Sequence, residues 1–165
     1  MTTQPTTRPA AATHHGLGDA HAIVIRRTIH APPERVFEAW SDPDVAARWS
    51  WGAEYTTEHV ELDCRPGGTW RQTIARKDTG KQFHFSGEYL EVDPPHLVVF
   101  TFAWHTNEGP EDGPSVVRVE LRAHAEGTEV VLTHQGVPAN KVEGTTSGWD
   151  DCFGEIERVL FAAPA

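Results

Sequence analysis

The sequence predicts an α+β fold: a curved, seven-stranded antiparallel sheet gripping one long C-terminal helix, with two short helices after the first strand. Three observations carry that prediction. Apolar residues recur with period two through most of residues 22–135, proline-led helix starts interrupt the pattern once near residue 33, and a period of three and four takes over only after Gly136-Val137-Pro138. A chain of 165 residues suits one domain. A sheet with one apolar face needs a cover, and a single amphipathic helix is the cover available.

The elements follow in order. Ile23, Ile25 and Ile29 alternate with polar neighbours over residues 22–30, a half-buried strand that Ala31-Pro32-Pro33 stops. Pro33 fits the first turn of a helix, and Val36, Phe37 and Trp40 share one face, which predicts a helix over 33–40. Asp42 before Pro43 repeats the start signal, so a second short helix is expected to about Arg48. Strands are predicted at 57–64 and 69–76 around Gly67-Gly68, at 82–92 after Asp78-Thr79-Gly80, and at 97–104 after Asp93-Pro94-Pro95. A polar loop is expected over 107–114, then strands at 115–123 and 128–135 joined at Glu126-Gly127. Trp149, Cys152, Phe153, Ile156, Val159 and Leu160 form the stripe of the last helix. Glu143-Gly144-Thr145-Thr146 are poor helix formers, so that helix is expected to be firm only from about Ser147.

Composition narrows the function. Fourteen basic against 24 acidic residues leave a formal charge of −10, which disfavours phosphate backbones and anionic lipid, so neither nucleic acid nor membrane is an expected partner. No stretch nears the roughly 18 apolar residues of a membrane span, and the first 22 residues lack a secretory layout; a soluble, cytoplasmic protein is expected. Cys64 and Cys152 lie far apart with no CxxC, so neither a disulfide framework nor a zinc site is indicated. Residues 1–20 show no apolar periodicity and are read as a flexible tail before a domain at 21–163, the His14-His15 pair within them having no fixed geometry for a metal.

Four stretches, "APPERVFEAWSDPDVAARWS", "CRPGGTWRQTI", "FSGEYLEVDPPHLVVFTFAW" and "GTEVVLTHQGVP…GWDDCFGEIERVL", together resemble the START-like (SRPBCC) superfamily, in its branch of activator of heat-shock-protein ATPase homologues. The resemblance spans residues 23–160. It implies a helix-grip (START-like, Bet v-like) fold with a hydrophobic pocket and a link to the stress response. It fixes activity much less, because members include lipid binders, polyketide cyclases, hormone receptors and co-chaperone domains. The eukaryotic co-chaperone carries a separate N-terminal domain, whereas about 20 residues precede the domain here, so the resemblance is read as ancestry and not as chaperone activation.

The six Trp are the compositional oddity. Trp40 and Trp149 fall on apolar helix faces and are read as core, while Trp49, Trp51, Trp70 and Trp104, at strand or loop ends, either line a pocket rim or pack. On the strand at 82–92, Phe83, Phe85 and Tyr89 share the inward face with Gly87, which turns His84 outward; His105 sits at a strand end. His134 shares a face with Val130 and Leu132 and is the histidine to test as an acid or base. Asp151 and Glu155 are helical neighbours beside Asp150, an arrangement that stability alone explains at a helix start. Arg71, Gln72 and Glu91 are the remaining polar groups able to orient a ligand. The expected ligand-facing set is Trp49, Trp51, Trp70, Gln72, Phe85, Tyr89, Phe102, Trp104, His134, Trp149 and Phe153, around a cavity of a few hundred cubic ångströms.

The resulting expectation is a protein that binds a small apolar or aromatic molecule, with no cofactor and no metal. Two alternatives stay open: an enzyme of cyclase or hydrolase type using His134 or an acid, and a co-chaperone-like interaction module acting through its acidic surface. Sheet edges and exposed aromatics make a homodimer reasonable.

Overall fold

Seven strands form one antiparallel sheet in the order β1-β7-β6-β5-β4-β3-β2, so the last six strands meander and the first returns to pair with the seventh. The computed structural model describes residues 21–49, 51–106 and 109–162. The strands are β1 (His21–Ile29), β2 (Tyr55–Leu62), β3 (Thr69–Arg76), β4 (Gln82–Asp93), β5 (Leu97–Thr106), β6 (Gly109–His124) and β7 (Gly127–Val137). Two short helices, α1 (Pro33–Ser41) and α2 (Pro43–Ala46), connect β1 at one sheet edge to β2 at the other. A 3-10 turn at Ala139–Lys141 leads into α3 (Val142–Ala162).

Each helix has the local cause that its sequence suggested. Pro33 opens α1, whose buried face is Val36, Phe37, Ala39 and Trp40, and the Asp42 side chain accepts from the Asp44 N–H at 2.9 Å to cap α2. The stripe Trp149, Cys152, Phe153, Ile156, Val159 and Leu160 is buried throughout and packs on Ile23, Ile25, Val117, Val130 and Leu132 of the sheet. From α1, Arg35 donates to the Leu160 carbonyl at 3.0 Å, tying down the far end of α3. Both cysteines are free.

Several boundaries differ from expectation. The start of β6 replaces most of the loop expected over 107–114: Thr106 pairs with Gly109, His105 with Pro110 and Trp104 with Glu111, so β5 and β6 continue as a long hairpin. Residues 107–108 and 1–20 lie outside the described residues. The last helix begins at Val142, not Ser147, because tertiary packing outweighs propensity: Thr145 is buried, and the Thr146 hydroxyl donates back to the Val142 carbonyl at 2.7 Å. Strand β2 starts two residues early and ends two early, and α2 stops at Ala46.

One glycine is needed by an aromatic side chain. Gly87 on β4 pairs with Trp70 on β3, and the Trp70 indole lies over it to donate to the Thr101 carbonyl at 3.0 Å. A Cβ at Gly87 would collide with both the Thr101 carbonyl and the Trp70 nitrogen. Gly87→Ala is therefore expected to cost about 2–3 kcal/mol by overpacking, whereas Gly154→Ala, in an exposed helical position with open space, is expected to gain about 0.5–1 kcal/mol. Urea unfolding of the two variants beside the parent checks both signs.

Candidate functional site

Between α3 and the strand ends lie two spaces of very different size. An open cleft of about 1090 Å³ runs between the first half of α3 and strands β2 to β5, and an inner chamber of about 40 Å³ sits among the aromatic side chains behind it. The expected single cavity of a few hundred cubic ångströms is not what the fold builds. Most of the interior is filled by rings, and the larger space has moved to the mouth.

The filling is explicit in the ring contacts. Phe102 stands at the centre, 5.2 Å from Phe85, 5.4 Å from Trp70, 5.0 Å from Trp104 and 5.3 Å from His134, while Trp51 lies 4.8 Å from Trp149. Such offset and edge-on pairs are favourable beyond the area they bury. Trp49 donates to the Ala39 carbonyl at 2.9 Å and Trp70 to Thr101, and both are 6% exposed. These two indoles are buried and line the inner chamber, not the cleft. Trp51 and Trp104 are half-buried and face the cleft.

The cleft has an aromatic floor and a small-residue wall. Ile74, Phe83 and Phe85 lie beneath it, and Gly144, Thr145, Ser147 and Gly148 of α3 stand opposite. Gly144 and Gly148 are one turn apart, so the same residues that weaken the helix by propensity also leave the space beside it. This wall was missed in sequence because Gly144-Thr145-Thr146 reads equally as a frayed helix start; the Gly144/Gly148 spacing was the available signal. Lys81 lies over the Phe83 ring at 5.3 Å and Lys141 over Trp104 at 5.4 Å, with Glu54 and Asp151 also at the mouth.

Of the expected ligand-facing residues, the fold brings Trp51, Phe85 and Trp104 to the cleft, and Trp49, Trp51, Trp70, Gln72, Tyr89, Phe102 and Trp149 around the chamber. Phe153 and His134 belong to the packed core. Arg71 and Glu91 are exposed, Asp150 pairs with Arg27 at 3.2 Å and Glu155 with Arg158 at 2.8 Å, so these groups do not converge on a site. His84, exposed and bonded to the Thr73 hydroxyl, and His105, bonded to Ser86, both border the cleft. Among the described residues no cluster of His, Cys, Asp and Glu can hold a metal ion.

His134 is fully buried and both of its nitrogens are engaged. The Trp149 indole N–H, which can only donate, meets Nδ1 at 3.0 Å, so Nδ1 carries the lone pair and the proton is on Nε2. Nε2–H then donates to the Ser115 hydroxyl at 2.7 Å, and that hydroxyl donates to the Phe102 carbonyl at 2.8 Å. Burial lowers the imidazole pKa to about 3. At neutral pH this ring is a structural, uncharged link with no nitrogen open to a substrate. Ser115, its partner, was not singled out in sequence, since a lone serine at a strand start carries no signal.

A curved antiparallel sheet closed by one long helix, with two short helices after the first strand and a cleft at the helix start, is the helix-grip architecture of START-like (SRPBCC) proteins. Residues 30–160 match the model of the family of Activator of Hsp90 ATPase homolog 1-like proteins, and the chain belongs to that family. Solved structures agree: a Chromobacterium violaceum protein is 25% identical with a TM-score of 0.75, over 84% of this chain and 96% of that one. An uncharacterized Rhizobium leguminosarum protein is 27% identical, TM-score 0.74, over 88% and 97%. The AHSA1-like protein of Aeromonas hydrophila, solved by NMR, is 26% identical, TM-score 0.71, over 86% and 93%. Comparison with curated proteins finds no match. Among the described residues no helix is long and apolar enough to cross a membrane.

The depressed imidazole pKa fixes a pH window. The unfolded chain binds a proton at this histidine below about 6.5, while the folded protein does not until about pH 3. Between those values the unfolded state holds more protons, so stability falls as pH drops, by about 1.4 kcal/mol per unit for this group. Parallel urea unfolding of the parent and His134→Gln at pH 7 and pH 5 is expected to show the parent losing about 2 kcal/mol more than the variant over that interval; equal losses would show that His134 titrates normally.

Proposed function

We propose that this protein binds a small apolar or aromatic molecule in the cleft between β2–β5 and the first half of α3. The observation that carries this reading is the pairing of an aromatic floor, Phe83 and Phe85 beside Trp51 and Trp104, with a wall where Gly144 provides no side chain to fill the gap and Gly148 admits the Trp51 ring edge. A folded chain gains by filling such a space, and α3 leaves it open. Small-molecule sites pair apolar walls with polar groups that fix orientation, and here Glu54, Lys81, Gln82, Asn140, Lys141 and Asp151 border the aromatic floor.

The magnitude is adequate. A ligand burying about 250 Å² of apolar area gains roughly 6 kcal/mol before association costs, which is compatible with micromolar affinity when the site is preformed. The cyclase or hydrolase reading has less support, since His134, its candidate acid or base, uses both nitrogens inside the core. No described feature favours a chaperone contact over a ligand.

Titration with N-phenyl-1-naphthylamine, a neutral fluorophore, is expected to give a blue-shifted, saturable signal with a micromolar Kd. Gly144→Phe places a ring where a Cβ now meets open space, and is expected to weaken that binding at least tenfold without lowering Tm. Unchanged affinity in Gly144→Phe would remove the cleft as the site.

A further inference from the structure

We propose that the inner chamber is a subsite for a carbonyl oxygen carried on an aromatic ligand, and that Trp51 is the door between chamber and cleft. The inference deepens the cleft reading and rests on it. Among the described residues, Trp51 is the one side chain that lines both spaces. It packs against Phe85, Phe102 and Trp149, and its polar tie is a 3.3 Å hydrogen bond from its indole N–H to Gln72 Oε1, at the long end for such a bond. The ring is half-buried, next to Gly52 at φ +118°. Across from it, a Cβ at Gly148 would stand 2.9 Å from the ring edge, so α3 receives this indole only because glycine is there.

Behind the door the chamber wall carries donors in excess. Gln72 is 6% exposed on the inner face of β3, among aromatic rings. An indole cannot accept, so the amide oxygen is the atom facing Trp51 and the amide nitrogen is turned away from it. That nitrogen has no acceptor among the described residues. Trp40, which also lines the chamber, has a buried indole N–H with no partner among the described residues. The Tyr89 hydroxyl is not spare: it reaches the Trp40 carbonyl at 3.4 Å and hydrogen-bonds Cys64, and burial raises its pKa so that it keeps its proton. Of these groups the Trp40 N–H is the fully buried donor without a partner among the described residues, and such a donor is destabilising until an acceptor reaches it.

Size decides what enters. About 40 Å³ exceeds the 10–15 Å³ or so that one water requires and falls far short of an aromatic molecule. A carbonyl fits while the ring system that bears it stays in the cleft. A carboxylate is disfavoured, because among the described residues no cationic side chain lines the chamber to compensate its desolvation. The ligand class is therefore a neutral aromatic ketone, amide or lactam, whose oxygen takes the Gln72 amide N–H as Trp51 swings outward.

The test compares 6-propionyl-2-(dimethylamino)naphthalene, a fluorescent ketone, with 2-propylnaphthalene, both by displacement of N-phenyl-1-naphthylamine. The ketone is expected to bind at least tenfold tighter to the parent. Gln72→Leu is expected to remove that margin and leave the hydrocarbon within twofold, and Trp51→Ala to speed ketone association at least fivefold. Bound ketone emission gives a readout that needs no variant: a red-shifted, hydrogen-bonded carbonyl supports the subsite, and emission typical of a hydrocarbon solvent overturns it. If both probes bind and Gln72→Leu leaves the ketone margin intact, the subsite is overturned and the cleft reading stands. An unchanged association rate in Trp51→Ala overturns the door. If neither probe binds, the cleft reading fails and the subsite with it.

Discussion

One chain of hydrogen bonds sets the distance between helix and sheet: the Trp149 indole to His134, His134 to Ser115, and Ser115 to the Phe102 carbonyl. It crosses α3, β7, β6 and β5, and every donor in it finds an acceptor. The β5–β6 ladder slips its register just beyond Phe102, and beside that slip the Phe102 carbonyl takes a side chain. A neutral, fully satisfied network inside a core gives directional constraint that apolar packing alone does not, and a half-satisfied one would be worse than none. With Trp149 held at this depth, the rest of the α3 stripe seats on β1, β6 and β7.

That depth also explains where the space is. Beyond Trp149 the helix presents Cys152, Phe153, Ile156 and Val159, and the gap to the sheet is full. Before Trp149 it presents Gly144, Thr145 and Gly148, and the cleft opens beside them, with the Trp51 ring edge against Gly148. The cleft thus follows from the change in side-chain size along the helix, small before Trp149 and bulky after it. The indoles finish the partition: Trp49 and Trp70 are pinned to backbone carbonyls and fill the interior, and Trp51 stands at its boundary.

Much of the fold was legible because its signals are local. Strand parity placed Phe85 and Tyr89 inward, the three-four spacing found the buried stripe from Trp149 to Leu160, and Pro33 and Pro43 marked both short helices. What escaped depends on distant partners. The start of α3 needed Thr145 to be buried by packing, and the β5–β6 hairpin needed cross-strand pairing that its polar, proline-containing sequence does not advertise. The site was only half legible for the same reason. Trp49 and Trp70 look like Trp51 and Trp104 in sequence, and only the carbonyls of Ala39 and Thr101 separate core from cleft. His134 reads as a candidate acid or base until Ser115 and Trp149, 19 and 15 residues away, occupy it.

The most direct measurement of this account is the ¹⁵N NMR spectrum of the His134 imidazole, recorded from pH 7 to pH 4.5. A ring bonded as described shows one neutral tautomer, proton on Nε2 and Nδ1 unprotonated, unchanged across the range. A signal that titrates near 6.5, or one with the proton on Nδ1, would contradict the bond from Trp149 and with it the helix height on which both cleft and chamber depend.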